Sequence, residues 1–247
     1  MNILVTICAR KGSKGLPGKN TKDLHGKPLI LWTVEQALEW SVGNPEESRD
    51  VCVSTDSEEV VNIIEGMPLD IIERPTELGK DDTPKLAVIR HALDIMTRRK
   101  QKKYEIVVDL DVTNPIRTTQ NIQESVQLLR KKAVNVVVSA TKARKNPYFN
   151  QLEDYYDLCR LVKGGHAGNF TSRQEAPNVW DMNASITVMT DLFLDLNEFA
   201  NTPTATPSLA MYEMPVFSAF DIDTELDFRI VEFLLCLDLT NGNPLKS

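Results

Sequence analysis

Hydrophobic positions in this chain come in short runs set between amphipathic stretches, and the alternation predicts strands followed by helices. Ile3 to Ala9 is a nearly continuous apolar run rich in β-branched residues. It is too short for a buried helix and predicts a central parallel strand. Pro28 to Trp40 carries Leu29, Trp32, Ala37 and Leu38 and predicts a helix packed on that strand. Val51 to Thr55 predicts a second strand, and Ser57 to Glu65 a helix with Val60, Val61, Ile63 and Ile64 on its apolar face. Thr83-Pro84 reads as an N-cap with proline at the first helical position, opening a helix to about Arg99. Tyr104 to Asp111 is a third strand, Thr118 or Thr119 caps a helix to about Lys132, and Val134 to Ala140 is a fourth strand.

This order predicts an α/β fold with a mostly parallel, doubly wound sheet and helices on both faces. The rhythm breaks from Thr141 to Met182, a polar, aromatic-bearing stretch in which Gly164, Gly165 and Gly168 cluster. It is too long for an idle loop, so 141–182 reads as a lid, a small β lobe or a dimerisation arm inserted in a single domain spanning 1–247. Ala184 to Met189 resumes as a strand, and Leu209 to Ile222 holds one or two more, broken at Pro215. Thr224 to Leu237 is the last helix, where Thr224 and Asp227 have the spacing of a capping box.

Composition narrows the function. At 247 residues and 42% hydrophobic, the chain can bury a substantial core. Its net charge of −7 argues against nucleic acid as a partner. Cys8, Cys52, Cys159 and Cys236 are scattered and form no C-x-x-C pair, which suggests neither zinc nor disulfides. Cys8 and Cys52 fall inside apolar runs and read as buried thiols. No apolar run approaches membrane-spanning length, and the first meets Arg10-Lys11 too soon for a signal peptide. The expectation is a reducing cytoplasm without membrane contact.

Candidate chemistry begins where the first run ends. The loop after Ala9 holds Gly12, Gly15 and Gly18 among Arg10, Lys11, Lys14 and Lys19. Glycines let backbone N–H groups approach an anion, and cations offset phosphate charge. The spacing is neither a Walker loop nor a dinucleotide fingerprint: Ser13 stands where the first Walker glycine belongs, and Asn20 replaces Ser/Thr. A solvated turn is the competing reading, and four cations in an acidic chain favour a polyphosphate site. Asp221 and Asp223 straddle Ile222 at an expected strand end, so both carboxylates should share a face and suit Mg²⁺ (or Mn²⁺). Asp109 and Asp111 repeat that spacing. In an open parallel sheet, ligands gather at the carboxyl ends of the strands, where the loop and both pairs should meet. Strand-end aspartates also cap helices, and Asp227 is explained that way.

The segment Ala9-Arg-Lys-Gly-Ser-Lys-Gly-Leu-Pro-Gly-Lys-Asn20 resembles the opening signature of the CMP-sialic acid synthetases, the acylneuraminate cytidylyltransferases. The resemblance continues in blocks over most of the chain. It implies a Rossmann-like fold of the nucleotide-diphospho-sugar transferase type and a homodimer built through an arm from 141–182. It implies that Ala9, Arg10, Gly12, Ser13, Lys14, Lys19 and Asn20 hold the triphosphate and base. Phe220-Asp-Ile-Asp-Thr-Glu-Leu-Asp227 resembles the family's metal block, which gives Asp221 and Asp223 to the metal. Arg74-Pro-Thr-Glu-Leu78 and Asp81-Asp82-Thr83-Pro84 resemble the segment beside the nucleotide, bringing Arg74, Lys85 and Asp111 with it. Val112-Thr-Asn-Pro-Ile-Arg117 and Arg173-Gln-Glu175 resemble blocks near the acceptor sugar, implying Thr113, Asn114, Arg173, Glu175 and Asn183.

The chain also departs from that pattern. Asp111 and Glu175 stand where glutamine is usual, Phe149 where a lysine aligns, Asp181 where arginine is common, and Lys85 where a small hydroxyl residue is frequent. The reading that follows is Mg²⁺-dependent transfer of CMP from CTP to a sialic-type 2-keto sugar acid, with release of pyrophosphate. Arg10, Lys14 and Lys19 stabilise the pyrophosphate, Asp223 serves catalysis through the metal, and the Arg173 fork suits the sugar carboxylate. Two alternatives stay open: a transferase using a sugar 1-phosphate with another nucleotide such as GTP, and a non-catalytic nucleotide-binding homologue.

Overall fold

A computed structural model describes residues 1–12, 15–43, 46–164, 170, 174–196 and 201–237. In it β1 (Asn2–Ala9) runs parallel to β4 (Ser48–Thr55) on one side and to β6 (Ile106–Leu110) on the other. β5 (Asp70–Glu73) extends the sheet beyond β4. Beyond β6 lie β10 (Trp180–Thr190), β7 (Val136–Lys142) and β11 (Leu209–Glu213). The seven strands take the order β11-β7-β10-β6-β1-β4-β5, and β10 alone runs antiparallel to its neighbours. The expected α/β, mostly parallel sheet is what forms.

Successive side chains of a strand point to opposite faces, and β1 shows what that does here. Ile3, Val5, Ile7 and Ala9 pack under α1 (Leu29–Val42), α2 (Glu58–Ile64), α4 (Thr119–Lys132) and α6 (Glu225–Cys236). Leu4 packs on the other face with Leu86, Ile89, Ala92 and Met96 of α3 (Lys85–Lys100) and Phe193 of α5 (Asp191–Leu196). Both faces are covered, which is why the run is apolar without a break. Further along the α3 face the core gives way to polar groups. Thr6 donates to Asp109 Oδ1 at 2.8 Å, and Cys8 follows it. Polar groups facing α3 at the carboxyl ends of β1 and β6 make a floor for a site.

Some local expectations change. Thr83 does not cap α3: Pro84 occupies that position, and the Thr83 hydroxyl donates to the Glu77 carbonyl at 3.2 Å. Thr118 caps α4 with Asn121 in a reciprocal capping box, and Thr224 with Asp227 does the same for α6. β5 and the two-residue pair β2 (Asp23–Leu24) and β3 (Lys27–Pro28) are too short to leave a periodic signal. Only one strand lies between Leu209 and Ile222. A 3₁₀ turn at Val216–Ala219 follows, and Asp221 and Asp223 sit in extended loop after it, not on a strand. The interrupted stretch holds a hairpin of β8 (Leu152–Tyr155) and β9 (Leu158–Leu161).

Candidate active site

The cleft at the carboxyl ends of β1 and β6 has a volume of about 450 Å³. β1 delivers Arg10, Gly12, Gly15, Lys19 and Asn20 to one wall. Arg74, Lys80, Asp81 and Lys85 come from the segment joining β5 to α3, Asp111 and Thr113 from the end of β6, and Asp221 and Asp223 from the loop before α6. Residues from four distant stretches of sequence therefore face one space.

Each side chain is held there by local chemistry. Gly18 sits in the left-handed region at φ 67°, and the chain turns back so that Asn20 Nδ2 donates to the Arg10 carbonyl at 3.0 Å. Gly15 lies against the Asp223 backbone so closely that a Cβ there would overlap its carbonyl oxygen. Glycine at that position thus lets the loop touch the segment bearing the carboxylates. Lys19 Nζ donates to the Ile222 carbonyl at 2.6 Å and pairs with Asp223 Oδ1 at 3.1 Å. Its side chain is mostly buried, so it is not the exposed cation that its sequence context suggests. Arg10 pairs with Asp81 across the cleft. Arg74 is buried against β4, its Nη2 donating to the Ser54 carbonyl at 2.8 Å.

Lys85 is the first residue of α3, and its Nζ bridges Asp109 Oδ2 at 2.7 Å and Asp111 Oδ2 at 2.5 Å. The paired carboxylates expected from i, i+2 spacing thus share an internal cation. Burial alone would raise Asp111, but Lys85 and the Thr113 donors outweigh it and hold its carboxyl well below the usual range. Burial opposes the charge on Lys85, yet Asp109 and Asp111 hold it above the ordinary lysine value. Asp221 moves the other way: burial, with Asp111 and Asp223 nearby, raises it against the opposing effects of Thr113 and Lys19. Among the described residues, its Oδ1 is buried with no hydrogen-bond partner. Cys8 also lines the cleft, where burial and then Asp109 push its thiol up to about 12. The thiolate is the reactive form. Iodoacetamide at pH 8 should therefore label the exposed Cys159 and Cys236 within minutes and leave Cys8 unmodified by peptide mass spectrometry.

Ala9 is buried at the end of β1 and shapes the loop from beneath. Asn114 and Asn183 differ from the expected acceptor-facing residues because both side chains are buried. Asn114 Nδ2 donates to the carbonyls of Asn183 (3.0 Å), Ser218 (2.8 Å) and Phe220 (3.3 Å), and Asn183 Nδ2 to the Ser218 carbonyl at 2.9 Å. In this arrangement they anchor the backbone that leads to Asp221. Glu175 is exposed on the loop before β10 and does not line the cleft. Ser13, Lys14 and Arg173 lie outside the described residues. Lys80 is a cation that sequence reasoning did not single out. The only signal was its place in Gly79-Lys-Asp-Asp-Thr-Pro84, the turn before α3.

A mostly parallel sheet whose first strand feeds a basic glycine loop, opposite carboxylates from the far end of the chain, defines a nucleotidyltransferase type of site. The comparisons with known proteins agree. A family model described as Cytidylyltransferase matches residues 4–205. A CMP-N,N'-diacetyllegionaminic acid synthase of Campylobacter jejuni is 35% identical over 236 residues, covering 95% of each chain. A post-translational flagellin modification protein B of Campylobacter coli is 34% identical over 94% of each. Among solved structures, a CMP:2-keto-3-deoxy-manno-octonic acid synthetase complexed with CTP shares the fold at 18% identity, with a TM-score of 0.66 over 97% of this chain and 100% of that one. The chain belongs to the cytidylyltransferase family and is an enzyme of that class.

Proposed function

We propose that this enzyme transfers CMP from CTP to a nonulosonic, sialic-type 2-keto sugar acid, giving a CMP-sugar and pyrophosphate. The observation that carries this reading is the meeting of the basic loop and the Asp221/Asp223 segment in one cleft. The relative that makes CMP-N,N'-diacetyllegionaminic acid supports the acceptor class. The anomeric hydroxyl of the sugar attacks the α-phosphorus in line, and pyrophosphate leaves. No protein nucleophile is needed, because positioning and charge stabilisation account for most of the catalysis of such transfers. Arg10 and Lys19 stabilise the departing charge, each exchanging its present carboxylate partner for phosphate. We expect it to work in the cytoplasm. Among the described residues, no helix is long and apolar enough to cross a membrane.

The residues present fit Mg²⁺ or Mn²⁺. Among the described residues, Asp221 keeps a buried oxygen without a donor, and the Asp223 side chain is 72% exposed in the cleft. No group of three potential ligands occurs among the described residues, so Asp221 and Asp223 would share the ion with substrate phosphates, the usual arrangement for Mg²⁺. When bound, the ion supplies charge stabilisation at the α-phosphate and lowers the pKa of a coordinated hydroxyl.

Pyrophosphate release, measured with each of four NTPs against 2-keto sugar acids and sugar 1-phosphates, tests the reading. Release confined to CTP with a nonulosonic acid supports it. Release with GTP and a sugar 1-phosphate, or none at all, overturns it. Lys19→Ala should raise the KM for CTP about 10-fold or more, as one charge-assisted contact is lost. Losing the bond to the Ile222 carbonyl should lower stability by only about 1 kcal/mol in urea titrations.

The β8–β9 hairpin presents Leu152, Tyr155, Tyr156 and Leu158 to solvent, with Tyr156 90% exposed. Aromatics gathered on a projecting hairpin, with no core of their own, suit burial against a second copy. The enzyme is therefore expected to be a homodimer joined through 141–182. Light scattering from well below to well above micromolar concentration should give the dimer mass, and Tyr156→Asp should shift it toward the monomer. A monomer mass throughout would sink this part of the reading.

A further inference from the structure

β4 ends at Thr55, and the next residue, Asp56, is half-buried and does not line the cleft. Its carboxylate nevertheless touches two segments that carry the cleft's charges. Oδ1 accepts from the Lys11 backbone N–H at 2.6 Å. On the other side, a Cβ placed on Gly79 would lie only 2.8 Å from Oδ2. Gly79 has a φ of −88°, which side chains tolerate, so the carboxylate beside it rather than its backbone calls for glycine. Lys11 and Gly79 are each flanked by residues that line the cleft: Arg10 and Gly12 in the loop, Leu78 and Lys80 before α3. The second segment is also pinned at its start, where the Arg74 N–H donates to the Thr55 carbonyl at 2.9 Å.

We propose that Asp56 is a positioning residue for the nucleotide, a brace that fixes the loop bearing Arg10 against the turn bearing Lys80 and Asp81. This rests on the CTP reading given above. A triphosphate is held by several cations at once, so their spacing matters as well as their charge, and a shift of about 1 Å can cost about 100-fold. Arg10 pairs with Asp81 across the two segments, and that pair opens when phosphate takes its place. The bond from Lys11 to Asp56 is independent of that ion pair and keeps the two walls in register after it opens. Asp56 thus acts through Lys11 and Gly79 and does not itself touch the substrate. Lys19 is held separately, on the Ile222 carbonyl and Asp223, so the opposite wall does not depend on the brace.

Titration calorimetry with CTP and with CMP, in Mg²⁺ and without acceptor, tests this. Asp56→Ala should weaken CTP about 10-fold, as a hydrogen bond to a charged group is lost. CMP lacks the phosphates that Arg10 would meet, so it should weaken by less than about 3-fold. In turnover the KM for CTP should rise by the same factor of about 10, with kcat held within about 3-fold. Asp56→Asn keeps an oxygen for the Lys11 N–H and should bind CTP within about 3-fold of the wild type. Gly79→Ala should weaken CTP by displacing the carboxylate, and it carries the test should Asp56→Ala fail to fold. Asp56→Ala/Gly79→Ala should be no worse than Asp56→Ala, because the added methyl then meets no carboxylate. Unchanged CTP binding in Gly79→Ala, equal losses for CTP and CMP, losses that multiply in the double variant, or Asp56→Asn as weak as Asp56→Ala would each overturn the inference. No CTP binding by the wild type would instead remove the nucleotide reading on which it stands.

Discussion

Asp223→Asn is expected to fold, to bind CTP, and to lose about 1,000-fold in kcat. The Asp223 side chain is 72% exposed and, among the described residues, makes one ion pair, with Lys19, so the near-isosteric amide disturbs no packing. Its backbone N–H contact with Asp227 Oδ2, at 3.3 Å, does not involve the side chain. Function is a different matter, because the variant removes one of the two carboxylates that would share the cation. Charge stabilisation by a bound metal is worth several kcal/mol, and at 1.36 kcal/mol per tenfold change about 4 kcal/mol gives the stated loss. Circular dichroism and thermal melting should overlay the wild type while pyrophosphate release at saturating Mg²⁺ collapses. A variant with near-normal, Mg²⁺-dependent turnover would refute the assignment of Asp223.

Lys85→Met has its largest effect on stability. It leaves Asp109, which is 2% exposed, and Asp111 as neighbouring carboxylates without the cation that bridges them. Removing one partner of a buried pair commonly costs 3–5 kcal/mol. The Lys85 side chain is 39% exposed, and water at its open side reduces that to about 2–3 kcal/mol. The pH dependence has a definite sign. Asp111 is depressed in the folded state, so its share is present above an unfolded value of about 3.9 and is lost as pH falls through the folded one. Lys85 is raised, so its share is present below about 10.4 and is lost as pH rises through the folded value. The stability difference between wild type and variant should therefore be flat from about pH 5 to 9 and shrink outside that window. Urea titrations across this range check it, and a difference peaking at one end would contradict the bridge.

Much of the sheet is legible in the sequence because burial leaves a mark on consecutive residues. Ile3 to Ala9 is apolar on both faces of a central strand, and α4 and α6 carry their capping residues at fixed spacing. Short elements leave less: the four residues of β5 and the two each of β2 and β3 are paired by their neighbours and carry no period of their own. The loop after β1 is legible as a basic glycine loop through composition alone, which is what suggests phosphate chemistry there.

What sequence could not supply was partnership. Nothing near Asp221 and Asp223 tells that they follow a 3₁₀ turn, that Lys19 lies on one of them, or that Gly15 must lack a side chain for the two segments to meet. Asn114 and Asn183 carry the same polar amide whether they face a ligand or the interior, and only the closure of the 214–222 segment over them turns both into internal anchors. Lys85 and Asp109 lie 24 positions apart, on a helix start and a strand, and become a pair because the first residue of α3 reaches the end of β6. The local sequence thus determined which stretches would be strands, helices and a basic glycine loop, through propensity, composition and periodic burial. The tertiary structure alone decided which charge faces which, because Coulomb and hydrogen-bond energies act over a few ångströms of space and take no account of distance along the chain.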